Sequence, residues 1–283
     1  MSALPNPRRC LLFVPGSRPE RYAKAVATGA DQVCIDLEDA VAPADKDTAR
    51  ASLFAFLADK PETRSEIGLR INPLSTELGQ QDLKALAHSG LAPAFVMLPK
   101  VETVAELQQA DAALAGVDTA FIAQIETPKG LLDARAIAAA SPRLQALMFG
   151  GYDYIVALRG RASWDSFFHP RVQLATIAAE AGVGCMDVPY LDIKDEPGLV
   201  EDTDRVIALG FTAKAAIHPA QVEPIQARYL PTQDEYSRAQ RIVAALEQSG
   251  GAAIQLDGKL VDRPIEIAAA RAVALGAYGT RNA

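Results

Sequence analysis

Apolar runs of strand length alternate with helical segments along most of this chain. The apolar runs lie at residues 11–16, 32–39, 66–73, 94–100, 120–127, 144–153, 184–190 and 213–220. The intervals between the runs have helical patterns. In the first interval, for example, Pro19 suits the first turn of a helix and Gly29 suits its C-terminal cap. The runs are nearly continuous rather than alternating, which is typical of strands buried on both faces of a parallel sheet.

Eight strand–helix units can be counted between residues 11 and 230. This number favours a closed (β/α)8 TIM barrel, of the α/β class, over an open doubly wound sheet. No G-x-G-x-x-G motif follows the first strand, which weakens a dinucleotide-binding interpretation. Because single barrels commonly have about 250 residues, we predict one catalytic barrel domain over residues 1–230.

A tail outside the eight repeats follows residue 230. Its pattern predicts a helix near 233–248, a hairpin that turns at Asp257-Gly258, and a helix near 265–275. A barrel does not need these elements. We therefore expect residues 231–283 to form a C-terminal extension that packs on the barrel rim or against a neighbouring subunit.

Composition and charge exclude several classes of protein. The net charge of −7 offers no basic footprint for nucleic acid. The three cysteines are far apart along the chain, which fits a reducing compartment and neither a disulfide framework nor a metal cluster. The N-terminus lacks a signal-length apolar core, and no stretch approaches the roughly 20 apolar residues of a membrane span. A cytoplasmic protein without a membrane partner is expected.

Two of the apolar runs end at carboxylates, Glu126 and Asp153, with one helical segment between them. A strand–helix–strand unit makes the two strands parallel, so both acids emerge at the same edge of the sheet. Two converging acids are a candidate Mg²⁺ site, since this ion takes one or two carboxylates plus substrate oxygens. The alternative is helix capping, because each acid precedes a helix. The Gly150-Gly151 pair favours the ligand role, since it lets backbone N–H groups approach an anion.

Other strand ends carry polar residues whose roles stay open. Arg70 suits a substrate carboxylate, which a guanidinium binds with two hydrogen bonds, but an internal salt bridge to Asp36 or Glu38 is an equal alternative. The acidic run 36–39 could supply a second metal shell, a general base or a solvated turn, and Glu38 is its candidate catalytic residue. Lys100 could form a Schiff base or simply neutralise the acids.

A set of motifs in a fixed order resembles one known family. The chain is similar to the HpcH/HpaI aldolase and citrate lyase family, specifically to citrate lyase β-subunits and their stand-alone relatives, from about Arg9 to Pro264. The motifs are PGSRPER (15–21), IDLEDAV (35–41), LRIN (69–72), LPKVE (98–102), IET (125–127), MFGGYD (148–153) and AIHPAQ (216–221).

The resemblance implies a (β/α)8 barrel and roles for particular residues. Glu126 and Asp153 match the family's ligands for Mg²⁺, which Mn²⁺ could replace. Arg70 matches the residue that binds the keto-acid carboxylate, with backbone amides near Gly151 and Tyr152 assisting. Asp262, in LVDRP, matches an acid/base that reaches into a neighbouring subunit's site, which implies a homotrimer or a multiple of it. Two cations, Arg18 and Lys46, stand where relatives contact CoA phosphates.

The implied reaction is Mg²⁺-dependent cleavage or formation of a 3-hydroxyacyl-CoA thioester, such as citramalyl-CoA or malyl-CoA, with a 2-keto acid and an acyl-CoA as products. Four alternatives remain: a citrate lyase β-subunit acting on an acyl-carrier-protein thioester to give oxaloacetate, a metal-dependent aldolase for 4-hydroxy-2-keto acids, a malyl-CoA thioesterase, and a non-catalytic barrel. The chain departs from many relatives after the sixth strand, where His169 replaces the first arginine of an A-R-S-R-like stretch. This difference leaves the keto acid open.

Overall fold

The computed structural model describes residues 7–59, 61–249 and 252–282, with side chains through residue 278. Eight parallel strands form a closed barrel in the order β1 to β8, each paired with its neighbours along the chain and β8 paired with β1. The strands are Cys10–Pro15, Gln32–Asp36, Glu66–Arg70, Phe95–Leu98, Ala120–Ile125, Leu144–Phe149, Gly184–Asp187 and Ala213–Ala216. The predicted TIM barrel is confirmed.

Helices follow the strands as the apolar pattern predicts. Helices α1 to α9 are Tyr22–Val26, Lys46–Ala58, Glu77–His88, Val104–Ala113, Pro128–Ala138, Gly151–Ala157, Trp164–Ala181, Glu196–Ala208 and Val222–Arg228. Side-chain caps start several of them: Thr76 before α3, Thr103 before α4 and Ser163 before α7 each accept a backbone N–H. Two helices, α6 and α7, fill the longer interval after β6.

Apolar side chains from all but the third strand fill the barrel interior, so it is a packed core rather than a channel. Large contributors are Phe95, Met97 and Ile122, all fully buried. The packed interior leaves no room for a ligand inside the barrel. The polar residues that end the strands lie at the carboxyl edge of the barrel, which is where barrel enzymes bind their substrates.

The described residues fall into two compact units, one from Arg8 to Ile225 and one that begins at Gln226. The second unit contains α10 (Gln233–Gln248), the antiparallel pair β9 (Ile254–Leu256) and β10 (Lys259–Val261), and α11 (Arg263–Asn282). Asp257 and Gly258 both have positive φ, as the tight turn of the predicted hairpin requires. The unit has its own small apolar core, which includes Ile242, Leu246 and Val261. No helix in the described part of the chain has the length and apolar character needed to span a membrane.

Candidate active site at the carboxyl edge of the barrel

A cavity of about 390 Å³ opens at the carboxyl ends of the strands, within the barrel unit. Four of the residues singled out from the sequence line it together: Arg70, Glu126, Tyr152 and Asp153. Arg70 ends β3, Glu126 directly follows β5, and Tyr152 and Asp153 lie in the first turn of α6. The folded barrel therefore assembles the predicted acids and the predicted arginine in one place.

Glu126 directly follows β5 and is only 1% exposed. Two neutral donors hold its carboxylate: the backbone N–H of Lys100 donates to Oε1 at 2.7 Å, and Nε2 of Gln124 donates to Oε2 at 3.0 Å. Lys100 has a φ of 50°, a left-handed conformation that is uncommon for a residue with a side chain. This local backbone geometry aims an N–H group at the buried acid.

Gly150 is required beside Glu126 because the two backbones approach closely. A Cβ atom at Gly150 would lie 2.3 Å from Cβ of Glu126 and 2.7 Å from its Oε2. Helix capping does not occupy Glu126, since the cap of α5 is Thr127, whose hydroxyl accepts the N–H of Gly130 at 3.0 Å. Asp153 lies within the first turn of α6 rather than at its cap. The geometry leaves both acids available to a ligand.

The electrostatics of the two acids suit a small divalent cation. Burial raises the pKa of Glu126 well above its ordinary value, and repulsion from Glu38 and Asp153 adds to the effect. A cation between Glu126 and Asp153 would relieve this repulsion. Within the described ranges no group of three or more acidic, histidine or cysteine side chains is placed to hold a metal ion, so Glu126 and Asp153 would offer two carboxylate ligands without a third such side chain. That number fits Mg²⁺, which usually retains water and substrate oxygens in its coordination shell.

Arg70 ends β3 directly beside Asp36, which ends β2 in the paired register. Its Nε and Nη2 donate to the two oxygens of Asp36 at 2.8 and 2.6 Å, and Nη1 donates to Gln124 at 3.3 Å. Burial disfavours the charge on Arg70, but Asp36 and Glu38 outweigh it and raise its pKa. The internal salt bridge considered from the sequence is therefore present, yet Arg70 also faces the cavity. The salt bridge therefore does not remove Arg70 from the cavity, and its contact with a substrate carboxylate stays a prediction.

Glu38 does not line the cavity. Its Oε1 accepts from Nζ of Lys100 at 2.5 Å, and its Oε2 lies 3.0 Å from Nη1 of Arg70, an ion-pair distance without hydrogen-bond geometry. Burial raises the pKa of Glu38. This placement favours a role in orienting Arg70 and Lys100 over direct contact with substrate.

Lys100 keeps its proton firmly. Burial lowers its pKa, but the hydrogen bond to Glu38 and the nearby acids, including Glu126 and Asp39, outweigh that effect and raise it. A Schiff-base lysine must be a free amine, so this environment favours the neutralising role over the nucleophilic one.

The two residues suggested for CoA phosphates differ in their surroundings. Lys46 is 7% exposed, and its ammonium donates to the carbonyls of Leu37 and Glu38 at 2.6 Å each and to Oδ1 of Asn72 at 2.8 Å. All three N–H groups of the Lys46 ammonium thus donate to acceptors inside the barrel unit, where they link residues of different strands and loops. This geometry does not support the expected phosphate contact. Arg18, whose side chain is 58% exposed, lies 3.9 Å from the equally exposed carboxylate of Glu20, so it remains open to solvent.

The start of α6 carries the predicted backbone donors. Gly151 and Tyr152 are its first two residues, so their N–H groups have no acceptor within the helix. The Tyr152 ring packs edge-on against Phe167 with centroids 5.8 Å apart, and Phe167 packs against Phe149 at 5.5 Å. These aromatic contacts fix the position of this turn beside the cavity.

Asp262 lies in the second unit, between β10 and α11, and is partly exposed. Its backbone carbonyl accepts the N–H of Glu266 at 3.0 Å. The structure of the single chain leaves the expected contribution of Asp262 to a neighbouring subunit as a prediction.

The sequence reasoning missed Gln124 and Phe13. Gln124 joins Arg70 to Glu126, since it accepts from the arginine and donates to the acid. Phe13 lies under the guanidinium of Arg70, with 4.9 Å from Cζ to the ring centroid. A signal for Gln124 was available: a polar residue two positions before Glu126 in a strand lies on the same face.

Comparisons with known proteins identify the family of this chain. A family profile described as HpcH/HpaI aldolase/citrate lyase matches residues 9–219, and one described as a C–C bond lyase of the TIM-barrel fold matches residues 162–277. The citrate lyase subunit β of Leuconostoc mesenteroides subsp. cremoris is 33% identical over 95% of this chain and 93% of that protein. The human mitochondrial citramalyl-CoA lyase is 30% identical over 92% of this chain and 82% of that protein.

The solved structure of CitE from Mycobacterium tuberculosis in complex with magnesium, acetoacetate and coenzyme A is 33% identical and superimposes with a TM-score of 0.81. It covers 97% of this chain and 100% of that chain. The prediction of a carbon–carbon lyase is confirmed by these relatives. The chain belongs to the HpcH/HpaI aldolase/citrate lyase family.

Proposed function

We propose that this protein is a Mg²⁺-dependent lyase that cleaves a 3-hydroxyacyl-CoA thioester into a 2-keto acid and an acyl-CoA, or joins them in reverse. The observation that carries the proposal is the meeting of Arg70 with Glu126 and Asp153 in one cavity. A guanidinium next to a carboxylate pair is suited to a substrate that has a carboxylate and a neighbouring hydroxyl or keto oxygen. The similarity to a human citramalyl-CoA lyase supports the thioester part of the proposal.

Glu126 and Asp153 hold the metal ion in this proposal. When bound there, Mg²⁺ supplies Lewis-acid polarisation of the substrate's hydroxyl and carboxylate oxygens. Lys100 and Gln124 keep Glu126 oriented through the two hydrogen bonds to its oxygens. Gly150 provides the space for that orientation, since any side chain there would collide with Glu126.

Arg70 binds the carboxylate of the keto-acid part, assisted by the backbone N–H groups of Gly151 and Tyr152. Asp36 fixes the guanidinium plane through two parallel hydrogen bonds, so little rotational freedom is lost when substrate binds. Glu38 supports the same plane from the side of Nη1. The substrate hydroxyl is thereby fixed beside the two acids.

In the cleavage direction, a base removes the hydroxyl proton, a carbonyl forms at that carbon, and the bond to the thioester α-carbon breaks. The electron pair of that bond passes to the α-carbon as an enolate, which takes up one proton. We assign protonation of the enolate to Asp262 of a neighbouring subunit, which in the reverse direction would act as the base that removes the α-proton. The assignment requires an oligomer, for which we propose a homotrimer or a multiple of it, and Arg18 as a contact of the CoA phosphates.

The test is to incubate the protein and Mg²⁺ with a panel of 3-hydroxyacyl-CoA thioesters and to identify both products by mass. We expect a keto acid and an acyl-CoA in equal amounts, and no products when a chelator removes Mg²⁺ or when Glu126→Gln is used. Release of free CoA without a keto acid would show a thioesterase instead. Cleavage of an acyl-carrier-protein thioester alone would show a citrate lyase β-subunit, which the similarity to the Leuconostoc protein makes the second candidate.

A further inference from the structure

Lys100 lies next to both acids that we assign to the metal, although it does not line the cavity itself. It follows β4, and its backbone N–H donates to Oε1 of Glu126 at 2.7 Å. Its ammonium nitrogen lies 3.7 Å from Oδ2 of Asp153. One residue therefore meets the two acids through two different groups, a neutral backbone donor and a charged side chain.

A buried carboxylate fixes the ammonium of Lys100. Nζ donates to Oε1 of Glu38 at 2.5 Å, and the side chain of Glu38 is only 3% exposed. The other oxygen of the same carboxylate lies 3.0 Å from Nη1 of Arg70. Because one buried acid links the two cations, the positive charge of Lys100 is held close to the cavity rather than in solvent.

The balance of charge at the cavity gives this ammonium weight. Four carboxylates line the cavity, whereas Arg70 is the only cationic side chain among the described residues that line it. One of the four, Asp39, has Oδ2 3.5 Å from Nζ of Lys100. Lys100 therefore lies close to two of the lining carboxylates, Asp39 and Asp153, and adds a positive charge to a site that is rich in negative charge.

This charge acts in opposite directions on the two ligands of the proposed reaction. An ammonium a few ångström away repels a divalent cation held by Glu126 and Asp153, and it attracts the carboxylate of an acid bound by Arg70. Even in the dielectric of water, a divalent and a monovalent cation about 5 Å apart repel strongly enough to weaken binding roughly tenfold. For a singly charged acid, the change in binding free energy is about half as large and has the opposite sign.

We infer that Lys100 sets the balance between the two ligands: its ammonium weakens the binding of Mg²⁺ at Glu126 and Asp153 and strengthens the binding of the acid. The inference rests on the proposed function and adds to it a positioning residue that acts through its charge. A lysine with a merely structural role would behave differently, because its loss would disturb Glu126 and Arg70 together and weaken both ligands.

The test is calorimetry on the full-length protein with Lys100→Gln, whose neutral amide can still donate to Glu38 and whose backbone N–H still faces Glu126. Mg²⁺ is titrated alone, and pyruvate is titrated in saturating Mg²⁺. We expect Mg²⁺ to bind about tenfold more tightly than to the wild type, and pyruvate to bind at least about threefold more weakly. Any result in which the two affinities do not move in opposite directions would overturn the inference.

Two control variants separate the charge of Lys100 from its size and from the total charge of the protein. Lys100→Arg keeps the positive charge, and Lys84→Gln removes an exposed lysine on α3. Both should leave the two affinities within about twofold of the wild-type values. If either control reproduces the opposite shifts expected for Lys100→Gln, the assignment of the effect to the Lys100 charge is wrong.

A second variant tests the same balance with the opposite sign, and it keeps the inference falsifiable if Lys100→Gln does not fold. The side chain of Asp39 is 65% exposed, so Asp39→Asn removes a negative charge beside Lys100 without opening the core. With this charge gone, Mg²⁺ should bind more weakly and pyruvate more tightly than in the wild type. Tighter Mg²⁺ binding by Asp39→Asn, or affinities equal to those of the wild type, would overturn the inference.

The outcomes separate this inference from the proposed function. If the wild type binds neither Mg²⁺ nor pyruvate and cleaves no CoA thioester, both fail. If the wild type cleaves a CoA thioester to a keto acid and an acyl-CoA, but Lys100→Gln shifts both affinities in the same direction, the proposed function stands and the inference fails.

Discussion

Removal of the buried ammonium of Lys214 should destabilise the barrel strongly. Lys214 lies in β8, is 0% exposed, and bonds to the carboxylates of Asp187 and Asp202 and to the carbonyl of Val188. Lys214→Met leaves Asp187 with Arg171 as its one counter-ion and removes the hydrogen bond of Asp202. Breaking a buried ion pair from one side costs about 3–5 kcal/mol, since the remaining charge stays buried.

The loss can be measured by urea unfolding, followed through the fluorescence of the single tryptophan, Trp164, whose ring lies 4.9 Å from Cζ of Arg171 in the same cluster. With an m-value of about 3 kcal/mol per molar, the midpoint should fall by about 1–1.7 M. The control Lys194→Met removes an exposed lysine and should change stability by less than about 0.5 kcal/mol. A Lys214→Met midpoint equal to that of the wild type would refute the view that this cluster stabilises the ends of β7 and β8.

Three further predictions concern single contacts. Arg70→Ala should weaken binding of the keto acid by about 10- to 100-fold, because charge-assisted hydrogen bonds are lost, while Mg²⁺ binding measured by calorimetry changes little; equal loss of both would contradict the division of roles. Gly150→Ala should displace Glu126 and abolish Mg²⁺ binding while circular dichroism stays native, and full Mg²⁺ affinity in this variant would count against the close packing. The hydroxyl of Tyr190 donates to Asp195 at 2.6 Å and lowers its pKa, so the acid contributes stability above its unfolded pKa that is lost as pH falls through the folded value. In Tyr190→Phe the pKa of Asp195, followed by NMR, should rise toward its ordinary value, and an unchanged pKa would exclude this cause.

The strand–helix pattern was sufficient for the barrel because its signal is local. Each strand is a short apolar run, and each run ends near a polar residue, so strand ends and the edge they share could be read from the sequence. The hairpin of the C-terminal extension could also be predicted, because Asp257-Gly258 is a strong turn signal between two short strands. The convergence of Glu126 with Asp153 followed from the parallel arrangement alone.

Roles that depend on partners distant in the chain could not be read in the same way. The resemblance implied that Lys46 contacts a CoA phosphate, whereas only the fold shows that the carbonyls of Leu37 and Glu38 and the amide oxygen of Asn72 accept from its ammonium. Arg70 raised two alternatives that the sequence could not rank. The structure shows the salt bridge to Asp36, and it leaves donors of the guanidinium over, so binding of a substrate carboxylate stays a prediction.

The sequence gave little indication of the buried ion-pair cluster formed by Arg171, Asp187, Asp202 and Lys214. Its members come from α7, β7, α8 and β8, and the bonds join residues 12 to 27 positions apart. One clue was available: Lys214 interrupts the apolar run of β8, where an unpaired charge would be costly. A buried lysine in a barrel strand predicts an acidic partner, but not which one.

The central claim is that Glu126 and Asp153 together hold the metal against which the keto acid binds. Its most direct test is calorimetric titration of Mg²⁺, in the presence of pyruvate, into the wild type, Glu126→Gln and Asp153→Asn. The control is Asp133→Asn, which neutralises a half-exposed acid on α5. We predict that the wild type and the control bind Mg²⁺ alike, and that each site variant loses at least about tenfold in affinity. Equal Mg²⁺ binding by all four proteins would contradict the account.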